Sequence, residues 1–338
     1  MVPDLCFAHL AAMTTDIGLF EHARYTAPRP EEGYCLDDVA RALVVTSREP
    51  QPSPAVRRLS SIYLDFTCSA QDAEGRFHNR RIQTGPWADQ AGLDDHWGRA
   101  LWGLGTAAAA GVDDGMRALA LAHASTAMRC RSPWLRAMAY AAVGSFEILR
   151  AEPGHPDALH LLADARAMFS RHDADPSWPW PQTRLTYANA VLPEALMVIG
   201  AGLGDDEAVD RGLRLLTWLL ELQTRDDRLS VIAVGGWQLG EPRARFAQQP
   251  IEVAALAEAC SRALEATGDA VWQRAIEQCA GWFLGANDAG MPLYDAATGG
   301  GFDGLEATGI NQNQGAESTL AALSTLQLAR RVEARAVR

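Results

Sequence analysis

Two kinds of helical segment alternate along this chain, and that alternation constrains its fold more than any other feature. One kind is Ala- and Leu-rich and nearly apolar all round: 37–47, 95–110, 134–149, 188–203, 251–265 and 314–330. The other is amphipathic and carries charge: 54–69, 113–130, 156–171, 206–223 and 269–285, with 4–13 as a short sixth. A helix apolar on every side must be buried, and a one-sided helix covers it. Strand signals are scarce, and strict alternation gives six helical hairpins. Repetition at about 40–65 residues marks an array of helical pairs. Six pairs closing on themselves make an all-α fold, an (α/α)6 toroid, and residues 1–338 read as a single domain of that kind.

The starts of the apolar segments look alike. Each carries a polar anchor in its first turns: Asp38, Asp95, Arg136, Glu194, Glu252 and Glu317. Links from an apolar segment to the next amphipathic one are short, such as 204–205 and 266–268. The return links 14–36, 70–94, 172–187, 224–250 and 286–313 are long. Long loops in a compact domain carry function. All of them fall at the N-terminal end of the inner helices, so a funnel is expected there, ringed by helix starts.

Composition removes several chemistries. Thirty basic residues stand against 42 acidic ones, a formal charge of −12, and every basic residue is Arg. An acidic chain without a basic run is a poor binder of nucleic-acid backbones. Without Lys there is no Schiff-base, P-loop or pyridoxal-anchoring lysine. The N-terminus has no basic region before an apolar run, no stretch is long and apolar enough to span a membrane, and the expected compartment is cytoplasmic. Six scattered Cys with no CxxC read as reduced thiols. The eight His, His172 among them, show no HExxH or HxH spacing, so no metal and no cofactor are expected. No GxSxG occurs. The Gly-rich run Thr298–Gly304 reads as a flexible loop.

What remains at the funnel is carboxylate and aromatic. Asp37, Asp38, Asp95, Glu194, Glu252 and Glu317 lie at helix starts with Arg41, Arg99 and Arg136. Asp37 or Asp38 also has a plainer reading as an N-cap, and Asp38–Arg41 and Asp95–Arg99 have the i,i+3 and i,i+4 spacing of helical ion pairs. Caps explain one acid comfortably and a ring of five less well, because buried acids need a partner or a purpose. Ten Trp, several in the long links, suit the flat C–H faces of sugar rings, while Asp, Glu, Asn, Gln and Arg suit the hydroxyls. Paired carboxylates are what glycosidic cleavage requires, one to protonate the leaving oxygen and one to activate water or attack carbon. Asp95 and Glu252 form the first candidate pair and Asp38 and Glu317 the second. The candidate substrate contacts are His22, Tyr34, Asp37, Arg41, His96, Trp97, Arg99, Trp178, Trp180, Tyr187, Asn189, Gln249, Asn313 and Gln314. Trp218, Trp272 and Trp282, on covering helices, read as core.

The chain also resembles, over nearly its whole length, a family of bacterial (α/α)6 proteins related to glycoside hydrolases. Its members are commonly encoded beside, or fused to, glycosyltransferases. The resemblance is carried by HLAAMTTDIGLFEH at 9–22, GYCLDDVARAL at 33–43, GRALW at 98–102, WPW at 178–180, LTYANA at 185–190, RFAQQPIE at 245–252 and NQNQGAEST at 311–319. It implies a sugar-active toroid with a glycan substrate and a functional link to a glycosyltransferase, but no one reaction. The chain departs from the family's TDDN at Leu36 and Val39, and from its TYDN at Ala188.

These readings point to a glycoside hydrolase. Two rivals stand beside it: a sugar epimerase or isomerase on the same toroid, leaning on His22 and His96, and a non-catalytic glycan-binding module of a glycosyltransferase system.

Overall fold

A computed structural model describes residues 2–170 and 177–336; His172 and the start of the 172–187 link lie outside them. Twelve helices are present among the described residues: α1 (Ala8–Ala12), α2 (Leu36–Ser47), α3 (Pro54–Ser69), α4 (Asp95–Ala110), α5 (Asp114–Ala127) and α6 (Leu135–Ala151), then α7 (Pro156–Phe169), α8 (Val191–Leu203), α9 (Asp206–Gln223), α10 (Pro250–Thr267), α11 (Ala270–Phe283) and α12 (Ala316–Ala336). The even-numbered helices contact one another in the order α2, α4, α6, α8, α10, α12, and α12 returns to α2. That closed ring is the inner wall of an (α/α)6 toroid. The odd-numbered helices lie outside it, α7 against α6 and α8, α9 against α8 and α10, and α11 against α10 and α12. The expected sixth covering segment, 4–13, forms only the five-residue α1, which packs on α12.

Close packing of the inner wall depends on glycine. A Cβ on Gly105 of α4 would stand 2.2 Å from the Gly144 carbonyl oxygen of α6, and one on Gly144 would stand 2.3 Å from that of Leu101. The two backbones meet where neither carries a side chain.

The two rings begin differently. The outer helices α3, α5, α7, α9 and α11 each have a side-chain cap, supplied by Ser53, Asp113, His155, Asp205 and Asp269. The inner helices α2, α4, α6, α8 and α10 have none. Neither Asp37 nor Asp38 is a cap, because α2 starts at Leu36 and both lie inside its first turn. The starts of α2, α4, α8 and α10 therefore combine a missing side-chain cap with an acid in the first turn, which the helix dipole favours, whereas α6 has no such acid.

The long links are tied down by two-stranded antiparallel pairs: β1 (Ala23–Arg24) with β2 (Ala27–Pro28), β3 (Tyr34–Cys35) with β4 (Arg80–Arg81), β5 (Thr224–Arg225) with β6 (Arg228–Leu229), β7 (Tyr294–Asp295) with β8 (Gly300–Gly301), and β9 (Gly304–Glu306) with β10 (Gly309–Asn311). The Gly-rich run is thus not a flexible loop. Its Gly301 lies against α12, where a Cβ would stand 2.2 Å from the Ser318 carbonyl oxygen. All six Cys are unpaired. No helix among the described residues is long and apolar enough to cross a membrane.

Candidate functional site

Contacts between first turns show that the inner helix starts share one end of the toroid. Asp37 on α2 accepts a 2.6 Å hydrogen bond from Arg99 on α4, and another from Asn79 in the 70–94 link. Arg41 on α2 donates to Asp38 at 2.7 Å and to Glu317 on α12 at 2.9 Å. Asn189, just before α8, donates to Glu252 on α10 at 2.8 Å. Tyr187 reaches across the mouth and donates its hydroxyl proton to Asp95 on α4.

A cavity of about 390 Å³ opens at this end. Asp37, Asp38, Arg41, Arg99, Gln249 and Glu317 line it from the helix starts, and Glu21, His22, Cys35, Arg80, Asp303 and Asn311 from the links. Its lining is mainly polar and charged, as a hydroxyl-rich ligand requires. The volume lies within the range of small-molecule sites.

Electrostatics separate the carboxylates. Burial alone would raise Asp37, but the Arg99 and Arg41 guanidiniums override it and hold the group at about 2. Burial pushes Asp38 up to about 7; Arg41 opposes the shift, while Glu317, Glu21 and Asp37 add to it. Glu252 is also pushed up to about 7 by burial, against the hydrogen bonds from Asn189. Its Oε1 is buried and has no hydrogen-bond partner. Their environments thus drive the adjacent Asp37 and Asp38 apart, so that Asp37 stays ionised while Asp38 can hold a proton near neutral pH.

Several sequence expectations change. Asp95 and Arg99 are not an i,i+4 pair, because Arg99 bonds to Asp37 on the neighbouring helix. Asp95 and Glu252 sit in separate networks, with Tyr187 and Asn189 respectively, and neither lines the cavity. Glu194 is not at the mouth; it lies deeper, 3.6 Å from Arg262, and burial pushes it well above the usual carboxylate range against the pull of that guanidinium. Tyr34 is buried, stacked on Phe20 with its hydroxyl on Thr15. Trp97 and Trp180 are buried as well, and present no face to a ligand. His96 is buried with Nε2 at 2.8 Å from the Phe77 carbonyl oxygen, tying the 70–94 link to α4. Gln314 is buried and bonds to Thr298 and Asp295, and Asn313 accepts from the Tyr25 N–H. Both hold links in place. Trp178 packs on Trp218 and Trp237 and donates to the Gln182 carbonyl. His22 remains half-exposed on the cavity wall.

Glu21 and Asp303 were not singled out from sequence, although both line the cavity. Glu21 lies within the 9–22 motif, which was the available signal. Asp303 lies in the Gly-rich run. Glu21, Cys35 and Asp38 each place a donor atom within 4.8 Å of the others, the geometry of a three-ligand metal set. Both carboxylates of that set already hold guanidiniums, Glu21 that of Arg80 and Asp38 that of Arg41.

A second cavity, of about 490 Å³, opens at the opposite end of the toroid. Arg48 there pairs with Glu258 at 2.6 Å, and Arg262 with Glu147 and Glu265. Cations close to helix C-termini complement the dipoles, and these are matched by acids, so this end reads as structural.

By sequence, the chain matches neither a protein-family model nor a curated protein. By structure, it is similar to a sugar epimerase from a ruminal bacterium, with TM-score 0.73, 11% identity, and coverage of 97% of each chain. It is similar to cellobiose 2-epimerase from Spirochaeta thermophila, with TM-score 0.69, 14% identity, and coverage of 99% of this chain and 95% of that one. A cellulase of C. cellulolyticum in complex with cellobiose aligns with TM-score 0.63 and 9% identity, over 93% of this chain and 87% of that one. Identities this low establish a shared architecture, and the (α/α)6 toroid is that architecture.

Proposed function

We propose that this chain is a carbohydrate-active enzyme that hydrolyses a glycosidic bond in the funnel, with Asp38 and Glu317 as the working carboxylates. One observation carries the reading: a single guanidinium, Arg41, holds both carboxylates on the wall of an open polar cavity. Asp38 is buried and pushed up to about 7, so near neutral pH it retains a proton for the leaving glycosidic oxygen. Glu317, with its side chain 39% exposed, is the carboxylate that activates water or attacks carbon. Asp37 stays ionised and fixes Arg99, while Gln249 and Asn311 offer hydroxyl contacts. The toroids of the epimerases and the cellulase support a sugar substrate for this architecture.

Asp95 and Glu252 are the weaker pair because neither lines the cavity. The epimerase reading leaned on His22 and His96, and only His22 lines the cavity.

The test is product analysis on a panel of oligosaccharides and free sugars, with Asp38→Asn and Glu317→Gln beside the parent. Hydrolysis releases new reducing ends, and both variants lose at least about a hundredfold in rate. Interconversion of free sugars without new reducing ends would replace the reading with the epimerase one. Binding without turnover would leave the glycan-binding module.

A further inference from the structure

The funnel rim carries an apolar crown that the carboxylate chemistry does not use. Large exposed apolar side chains stand in every link on the funnel side: Tyr25, Ile82, Trp134, Tyr187, Val234 with Leu239, and Met291. None stands in the short links at the opposite end; Leu119 and Val271 lie on outer helices. Trp134 is the most informative of them. It is 59% exposed, while the other nine Trp are buried or half-buried. It occupies the N-cap position of α6 without capping it, and its indole nitrogen donates to no described residue. An indole left facing water at a helix start two residues from the buried Arg136 is a free stacking surface.

Its neighbours continue that surface inward. Arg136 stacks over the Tyr187 ring at 4.4 Å, and Arg99 lies 5.9 Å from the same ring on its way to Asp37. A path of planar groups thus runs from Arg136, two residues after Trp134, through Tyr187 and Arg99 to the cavity that Asp37 and Arg99 line. The α6 and α8 starts lie across the ring from α12 and α2, about 20 Å for six helices at ordinary packing distance. A single sugar ring at Asp38 and Glu317 does not reach Trp134, whereas a chain of several does. Charge in the cavity adds a second constraint. Arg41, Arg80 and Arg99, the arginines that line it, are already paired with carboxylates, so little cationic capacity remains there for an acidic substrate.

We propose that Trp134 is the outer platform of an extended glycan subsite, and that the substrate is a linear, neutral oligosaccharide rather than a mono- or disaccharide. This rests on the reading of the funnel as a sugar site. A crown of one or two residues per link around an open mouth suits a threaded chain better than a protein partner, which needs a contiguous apolar patch.

The test is calorimetric titration of the Asp38→Asn protein with cello- and manno-oligosaccharides, from monosaccharide to hexasaccharide, with and without Trp134→Ala. Affinity is expected to rise with chain length. Trp134→Ala flattens the rise and weakens hexasaccharide binding about tenfold, and Trp134→Phe restores most of it. Equal affinity for all lengths, or an equal loss for long and short sugars, overturns this inference alone. Binding of no sugar at any length overturns the funnel reading and this inference together. Circular dichroism of Trp134→Ala checks that the exposed position leaves the fold intact.

Discussion

Asp37 and Arg99 meet at 2.6 Å across the seam between α2 and α4, with both side chains largely withdrawn from solvent. The contact joins two inner helices at the mouth and frees Asp95 for Tyr187. Removing one partner of a buried pair leaves an uncompensated charge, at a cost of about 3–5 kcal/mol. Arg99→Ala is therefore expected to lower the Tm by several degrees at pH 7. Asp37 is held at about 2, below its ordinary 3.8, so its pairing stabilises the fold above pH 4 and is lost as pH falls through 2. That shift corresponds to about 2 kcal/mol. The Tm gap between the parent and Asp37→Asn should stay constant from pH 7 to 5 and narrow below pH 4. A gap independent of pH would mean that the charge of Asp37 does not matter.

Glu252 should behave in the opposite sense. Its folded-state value of about 7 lies above the ordinary 4.5, so the folded protein holds this proton more tightly than the unfolded chain. The resulting stability is complete below about pH 4.5 and is lost as pH rises through 7. Glu252→Gln keeps an acceptor for Asn189 and removes the charge. Its Tm should fall less than the parent's between pH 5 and pH 8. Parallel Tm curves for the two proteins would exclude a buried, proton-binding Glu252.

Periodicity made the toroid legible. The apolar segment 95–110 coincides with α4, and 206–223 with α9, because burial on one or all sides is written in residue spacing. Side-chain direction in the links is not written that way. Tyr34, Trp97 and Trp180 have the right chemistry for sugar contact, yet they point into the core. Arg99 could pair with Asp95 on its own helix or Asp37 on the next, and only the helix packing selects Asp37. Asp38 and Glu317 were visible as first-turn acids and the i,i+3 pairing of Asp38 with Arg41 was legible, whereas the attachment of Glu317 to the same Arg41 spans most of the chain and has no local signal. Ala188 marks another limit. It adopts φ +44, a left-handed conformation that Asp and Asn tolerate better than Ala.

Two glycine substitutions should separate the inner wall from the outer layer. Gly105→Ala drives a Cβ to 2.2 Å from the Gly144 carbonyl oxygen, so α4 and α6 must part. Overpacking of that kind costs about 1–3 kcal/mol. Gly281→Ala on α11 meets nothing nearer than the Ala286 Cβ at 3.5 Å and gains helix propensity, about 0.5–1 kcal/mol. Thermal melts should therefore move in opposite directions. A neutral Gly105→Ala would show that α4 and α6 are not in backbone contact.

The pH dependence of turnover probes Asp38 directly. Burial pushes this group up to about 7, and the proposed chemistry uses its protonated form. Activity should therefore fall about tenfold per pH unit above 7. Weakening the Arg41 contact should move that limb in a defined direction. Arg41 is the cation that draws Asp38 down, so Arg41→Gln raises Asp38 further and shifts the descending limb to higher pH, alongside a lower maximal rate. Glu317→Gln removes a neighbouring negative charge that raises Asp38, and any residual activity should show the limb moved to lower pH. Opposite shifts from the two variants tie the limb to Asp38. A limb unmoved by either would assign it to another group and remove Asp38 as the acid.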